Sequence, residues 1–296
     1  MDERTFIDAH GVSIFSRWWM VDAPRGVVVI SHGASEHSER YDRFARALNA
    51  AGFAAVALDH RGHGHTRAVT GIGITGAGGG QAVVDDLHEL RTTAEWVLGP
   101  EVPVFFFGHS LGAIIGVAYL AQHAGGLAGA VLCGMAADIN GTAALGEVLQ
   151  GFADAGMRDQ PAVDLFAANN APFEPARTAF DWLSRDPEEV DKYIADPLCG
   201  DGNPLTFGYL IDTFGVVAPA GEHLANVSCP VFVIAGDHDT AAAMGAHATA
   251  LAAALTAAGV PVDEKLYPNA RHELLNETNR DDVTTDLIGW FDARTA

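Results

Sequence analysis

The chain has 296 residues, enough for one large core or two small ones. Hydrophobic residues make up 49% and charged residues 19%, which excludes a mainly disordered or fibrous chain. Against 38 Asp and Glu stand 17 Lys and Arg, a net charge of -21, and Lys192 and Lys265 are the only lysines, so no basic patch can form for a nucleic acid.

From Met1 to His10 the sequence carries Asp2, Glu3 and Asp8, with no basic start followed by an apolar run, so it does not read as a secretory signal. Short apolar runs then alternate with helical patterns, as in parallel βα units. Strands are predicted at Gly26–Ser31, Ala54–Asp59, Val102–Gly108 and Ala128–Gly134, with helices at Tyr41–Ala51, Gln81–Leu98 and from Ser110 to about His123. Between them, Gly71–Gly80 reads as a mobile loop. From Met135 to about Ala225 the β pattern gives way to helical stretches such as Ala143–Ala155 and Asp186–Ile194. Strands return at Pro230–Ala235 and Val262–Tyr267, with helices at about Ala243–Ala258 and Asp281–Asp292. The expectation is an α/β fold whose mostly parallel central sheet is flanked by helices. Residues 1-136 and 226-296 form its core, and residues 137-225 form a helical cap.

The Ala-rich stretch Ala241–Val260 is broken by Gly245 and His247 and reads as a helix covering the sheet rather than a membrane span. Cys133, Cys199 and Cys229 are odd in number and lack C-x-x-C spacing, which suggests free thiols and a cytoplasmic location.

Gly108-His109-Ser110-Leu111-Gly112 follows an apolar strand and opens a helix rich in small residues. This is the G-x-S-x-G elbow, in which a strained turn exposes a serine and small neighbours let helix and strand approach. Such a serine needs a base and an orienting acid later in the chain. Gly236-Asp237-His238-Asp239 ends one apolar strand, and Pro268-Asn269-Ala270-Arg271-His272-Glu273 follows the next. His272 is therefore the base, and spacing alone leaves Asp237 and Asp239 open as the acid.

Together with Ser31-His32-Gly33-Ala34-Ser35-Glu36-His37-Ser38-Glu39-Arg40-Tyr41 and Asp59-His60-Arg61-Gly62-His63-Gly64, these segments resemble the α/β-hydrolases of the monoacylglycerol lipase and lysophospholipase type. The resemblance covers nearly the whole core but not the insertion, and it implies a cap inserted after the sixth strand. It maps the acid to Asp239, with Asp237 second and Asp138 third. It implies a cofactor-independent serine hydrolase of carboxylic esters, with Ser110, His272 and Asp239 as the triad and the backbone N–H groups of Ala34 and Leu111 as the oxyanion hole. His32 is expected to order the oxyanion loop. Glu36 and Arg40 match positions that support a bound alcohol, the bland alternative being an ion pair at a helix start. The alternatives in function are an esterase for small soluble monoesters and a ligand-binding homologue without catalysis.

Other patterns carry less. His60, His63 and His65 form H-x-x-H-x-H, but the spacing lacks the further Asp-His of a metallo-β-lactamase, so no metal is expected. Thr66 stands where members of that family usually have Ser. Gly71–Gly76 spells G-x-G-x-x-G without following a strand or opening a helix directly, so it is not a dinucleotide site. The sequons at Asn140, Asn226 and Asn276 are taken as chance in a cytoplasmic chain.

Overall fold

The computed structural model describes residues 1–162 and 167–295. Its sheet has eight strands in the order β1-β2-β4-β3-β5-β6-β7-β8. β1 (Asp2–Ile7) and β2 (Ser13–Trp19) are antiparallel to their neighbours, while β3 (Gly26–Ser31), β4 (Phe53–Leu58), β5 (Val104–His109), β6 (Leu127–Cys133), β7 (Val231–Gly236) and β8 (Val262–Tyr267) run parallel. The six predicted strands occur within two residues of their expected bounds.

The N-terminal hairpin, by contrast, is absent from the sequence reading. β1 is an edge strand whose six residues alternate between exposed and half-buried, so it lacks the continuous apolar signature of the inner strands.

Strand side chains alternate between two cores. Val27, Val29 and Phe106 face one side, with Leu87 of α3 (Gly79–Leu98), Ile115 of α4 (Leu111–His123) and Leu251 of a helix at Ala246–Ala257. Val28, Ile30, Phe105 and Phe107 face the other, with Phe44 of α1 (Asp42–Ala50) and Leu287 of a helix at Arg280–Asp292. Phe105, Phe106 and Phe107 are fully buried, each worth about 3 kcal/mol by area. This double burial fixes the β5 register, and with it the turn that follows.

Between β4 and α3 lies a single helical turn, α2 (Arg67–Thr70). The glycine-rich segment after it is not the free loop that its composition suggests. Gly73 donates to Gly62 O and accepts from the Thr206 N–H and hydroxyl, and Arg61 reaches the carbonyl oxygens of Thr75 and Ala77. Gly73 has φ +61°, and a Cβ there would overlap the Pro204 carbonyl, so glycine is required for this packing rather than for slack.

Between β6 and β7 the described residues form helices and turns and no strand. α5 (Thr142–Asp154) and α6 (Pro187–Ala195) match the predicted stretches, and Asp186 caps α6 by accepting the Glu188 N–H. α7 (Phe207–Ala220) is unpredicted; its apolar face packs on α3, α4 and α5 at once. The helices at Ala246–Ala257 and Arg280–Asp292 are α8 and α9.

Candidate active site

Ser110 sits between β5 and α4 with φ +53°. Its N–H donates to Cys133 O at 2.9 Å, and its carbonyl accepts from Ala113 and Ile114 at 2.9 and 3.0 Å. The flanking glycines have steric causes: a Cβ at Gly108 would overlap the Gly112 carbonyl, and one at Gly112 would overlap the Ser31 carbonyl. The strained serine is thus held from both sides, and its side chain turns into the crevice.

There the Ser110 hydroxyl lies 2.8 Å from His272 Nε2, and His272 Nδ1 lies 2.9 Å from each oxygen of Asp239. The three residues are separated along the chain by 162 positions for Ser–His and 33 for His–Asp. All are buried, Asp239 completely. Asp239 also accepts the Ala242 N–H at 3.1 Å, which fixes its carboxylate plane. Burial lowers the imidazole pKa, but the Asp239 charge and hydrogen bond, with Glu273 and Glu36 behind them, outweigh it and raise His272 above 6.5.

The rival acids lie elsewhere. Asp237 bonds the exposed His238 ring at 2.7 Å and the Asn269 N–H at 2.6 Å, bracing the turn before His272. Asp138 caps a short turn through the Asn140 N–H.

The loop after β3 is organised by a chain of neutral imidazoles. The His60 N–H donates to His32 Nε2 at 2.9 Å, so His32 carries its proton on Nδ1 and donates it to Gly33 O at 2.8 Å. Glu36 takes the Gly33 N–H at 2.5 Å, and its pKa falls to about 2 because Arg40, His109 and His32 outweigh the burial that would raise it. The next N–H, that of Ala34, and the N–H of Leu111 have no protein acceptor among the described residues, and both residues line the crevice beside Ser110. His60 and His63 pack against His32, and His65 packs against Phe15.

Two lobes diverge from Ser110 and share Ala34, Trp182, Leu205 and His272 as walls. One, of about 240 Å³, is apolar, with Ile114 of α4, Leu145 and Leu149 of α5, and Leu210 and Phe214 of α7. The other, of about 70 Å³, also has a mostly apolar wall, with Phe180, Trp182, Leu183 and Pro204. It is the polar lobe in that it alone adds carboxylates, Glu36, Asp201 and Glu273, along with His109 and Tyr193. Glu36 thus lies at the polar lobe, whereas Arg40 lies in a smaller recess behind it, paired with Glu36 at 2.7 Å and bidentately with Glu273 at 2.6 and 2.7 Å.

His109, Trp182, Tyr193, Asp201 and Glu273 were not singled out from the sequence as site residues. His109 and Glu273 adjoin triad residues and could have been found by adjacency alone. Trp182 and Tyr193 come from the segment between β6 and β7, where no motif signals them. That segment also binds the histidine loop through main chain: His272 N donates to Trp182 O at 3.4 Å and Glu273 N to Leu183 O at 2.8 Å.

A serine, an imidazole and a carboxylate in line, at the strand ends of a mostly parallel sheet, define the α/β-hydrolase class. The chain belongs to the Hydrolase_4 family (serine aminopeptidase, S33), which matches residues 22–279. It is 31% identical to a monoacylglycerol lipase of Mycolicibacterium smegmatis over 98% of this chain and 96% of that protein. With human monoglyceride lipase it shares 29% identity over 98% of this chain and 90% of that one. Its fold is similar to that of a thermostable carboxyl esterase from Bacillus coagulans in complex with glycerol, with a TM-score of 0.89, 30% identity, and 100% and 99% of the two chains covered. The protein is accordingly a carboxylic ester hydrolase. Among the described residues no helix is long and apolar enough to cross a membrane.

Proposed function

We propose that this protein hydrolyses monoacylglycerols or lysophospholipids through an acyl-enzyme on Ser110, needing no cofactor. The observation that carries the reading is the unbroken hydrogen-bonded line Ser110–His272–Asp239 at the junction of an apolar and a polar lobe. The ester carbonyl sits over Ser110, the acyl chain lies among the cap's apolar side chains, and the alcohol lies in the polar lobe. The described part of residues 137–225 serves as the cap, which walls both lobes together with core residues.

In the first half-reaction His272 Nε2 takes the hydroxyl proton as Ser110 Oγ attacks the carbonyl carbon, and Asp239 stabilises the imidazolium. The N–H groups of Ala34 and Leu111 take up the negative charge on the carbonyl oxygen, each worth about 3 kcal/mol in comparable hydrolases. His272 then protonates the leaving alcohol. In the second half-reaction water enters, His272 accepts its proton, and the acyl group departs as a carboxylic acid. Glu36 and Arg40 support the alcohol end, Glu36 at the lobe itself and Arg40 by holding Glu36 in place.

Three buried free thiols are consistent with a reducing, cytoplasmic setting. A second reading, an esterase of small soluble monoesters, draws on the modest 240 Å³ of the apolar lobe. An ester panel of increasing acyl length decides between them. A long-chain optimum for monoacylglycerols, with rates that climb above the solubility limit, supports the first reading; an optimum at two to four carbons without such a rise supports the second. A fluorophosphonate probe that fails to label Ser110 would overturn both.

A further inference from the structure

Every charged side chain lining the polar lobe is acidic: Glu36, Asp201 and Glu273 face it, and no lysine or arginine does. Arg40 lies behind, committed to both oxygens of Glu273 and to Glu36. One positive charge against three negative ones leaves this corner two units negative, in a chain whose net charge is -21.

The histidines do not offset this. Burial and the neighbouring His272 push His109 down to about 4, so it is neutral near pH 7. His272 must itself be neutral at rest to accept the serine proton. Asp201 is exposed, forms no ion pair among the described residues, and lines the lobe. Aromatic side chains complete the wall: Arg40 covers Tyr193 at 4.8 Å, Phe180 packs on Tyr193, and Trp182 packs on the His272 ring at 5.0 Å.

We propose that the polar lobe selects the leaving alcohol by charge, accepting neutral diols and cationic amino- or ammonium-alcohols and rejecting alcohols with a phosphate or sulfonate beside the scissile ester, with Asp201 setting the ratio. This rests on Ser110 being the nucleophile and on the alcohol occupying this lobe. The bond broken is the same in every case: water is consumed, and a carboxylic acid and the free alcohol are released. An anionic head group would meet three carboxylates that one arginine balances only in part, Asp201 having no ion-pair partner among the described residues. A cationic one would meet them favourably. Of the two lipid classes proposed above, monoacylglycerols fit and lysophospholipids, with a phosphodiester next to the glycerol, do not.

The test compares three butyrate esters of similar size: butyrylcholine, the neutral 3,3-dimethylbutyl butyrate and the anionic 3-sulfopropyl butyrate. Each kcat/KM is divided by that ester's rate of alkaline hydrolysis, which removes intrinsic reactivity. At low ionic strength the sulfonate ester should fall at least about tenfold below the neutral one, with the choline ester at or above it, and added salt should narrow the gap. Asp201→Asn should lower the cation-to-anion ratio about threefold, and Asp201→Lys should lower it further. Equal turnover of the sulfonate and neutral esters, or a ratio unmoved by both variants, would overturn the proposal. Failure of the underlying reading looks different: wild-type protein would leave the neutral ester intact, or Ser110→Ala would cleave it as well as wild type does.

Discussion

At the rim of the sheet the backbone itself holds the reacting serine: three main-chain hydrogen bonds and two glycines without room for a methyl group fix Ser110. Across the crevice the segment between β6 and β7 adds to its main-chain bonds with the His272 turn a wall held by side-chain packing, in a small cluster of Trp182, Leu183, Tyr193 and Cys199 and in the layer of α5 on α7. Val148 of α5 remains 59% exposed, whereas nothing in β5 is. The contrast separates two tasks. On the function proposed above, the rim carries chemistry that is the same for every ester, and the segment between β6 and β7 supplies walls that differ between esters.

The largest expected effect tests the rim directly. Ser110→Ala should lower kcat on p-nitrophenyl esters by at least about 10⁴-fold at every acyl length; a loss confined to long chains would erase the distinction. Asp239→Asn should cost nearly as much, about 10⁴-fold, by favouring the wrong tautomer of His272.

The pH profile sharpens the same point. His272 works unprotonated, and its pKa is raised because Asp239 outweighs burial, so kcat/KM should fall as the pH drops through a midpoint above 6.5. Removing the Asp239 charge should move that midpoint down, which residual turnover in Asp239→Asn would reveal.

Glu36→Gln probes the loop between the two regions. It weakens the acceptor of the Gly33 N–H and removes a charge from the alcohol's lobe, and it should lower kcat/KM on glycerol esters about tenfold. Smallest is a change in the cap wall. Phe214→Trp should lower the ratio of dodecanoyl to acetyl ester turnover about fivefold by filling the apolar lobe. An equal loss on both esters would place Phe214 with the rim in its effect.

The readability of the sequence follows the same divide. β3 to β7 were legible because strands buried on both faces read as unbroken apolar runs. The edge strand β8, mostly exposed, was read from its place after a helix, and the elbow was legible because its glycines answer to local sterics. The choice of Asp239 over Asp237 required resemblance, since both stand on one turn and the Ala242 N–H that fixes the acid is visible only in three dimensions. β1, α7 and the wall residues Trp182 and Tyr193 were not read as elements or site residues. β1 pairs with the neighbouring β2 but lacks an apolar run to signal it, whereas α7, Trp182 and Tyr193 depend on partners far along the chain, as Tyr193 does on Arg40 and Trp182 on His272. Gly73 was read as slack for the same reason, because Thr206, 133 positions away, holds it.

Closing a loop of 162 residues to bring Ser110 against His272 makes turnover a long-range property of the polypeptide. No fragment ending before the last strand can carry the reaction, however well its elbow forms. Recovery of ester cleavage after dilution from denaturant would therefore lag behind the return of helical signal. In a refolding experiment the substrate reports on topology, and circular dichroism reports only on local order.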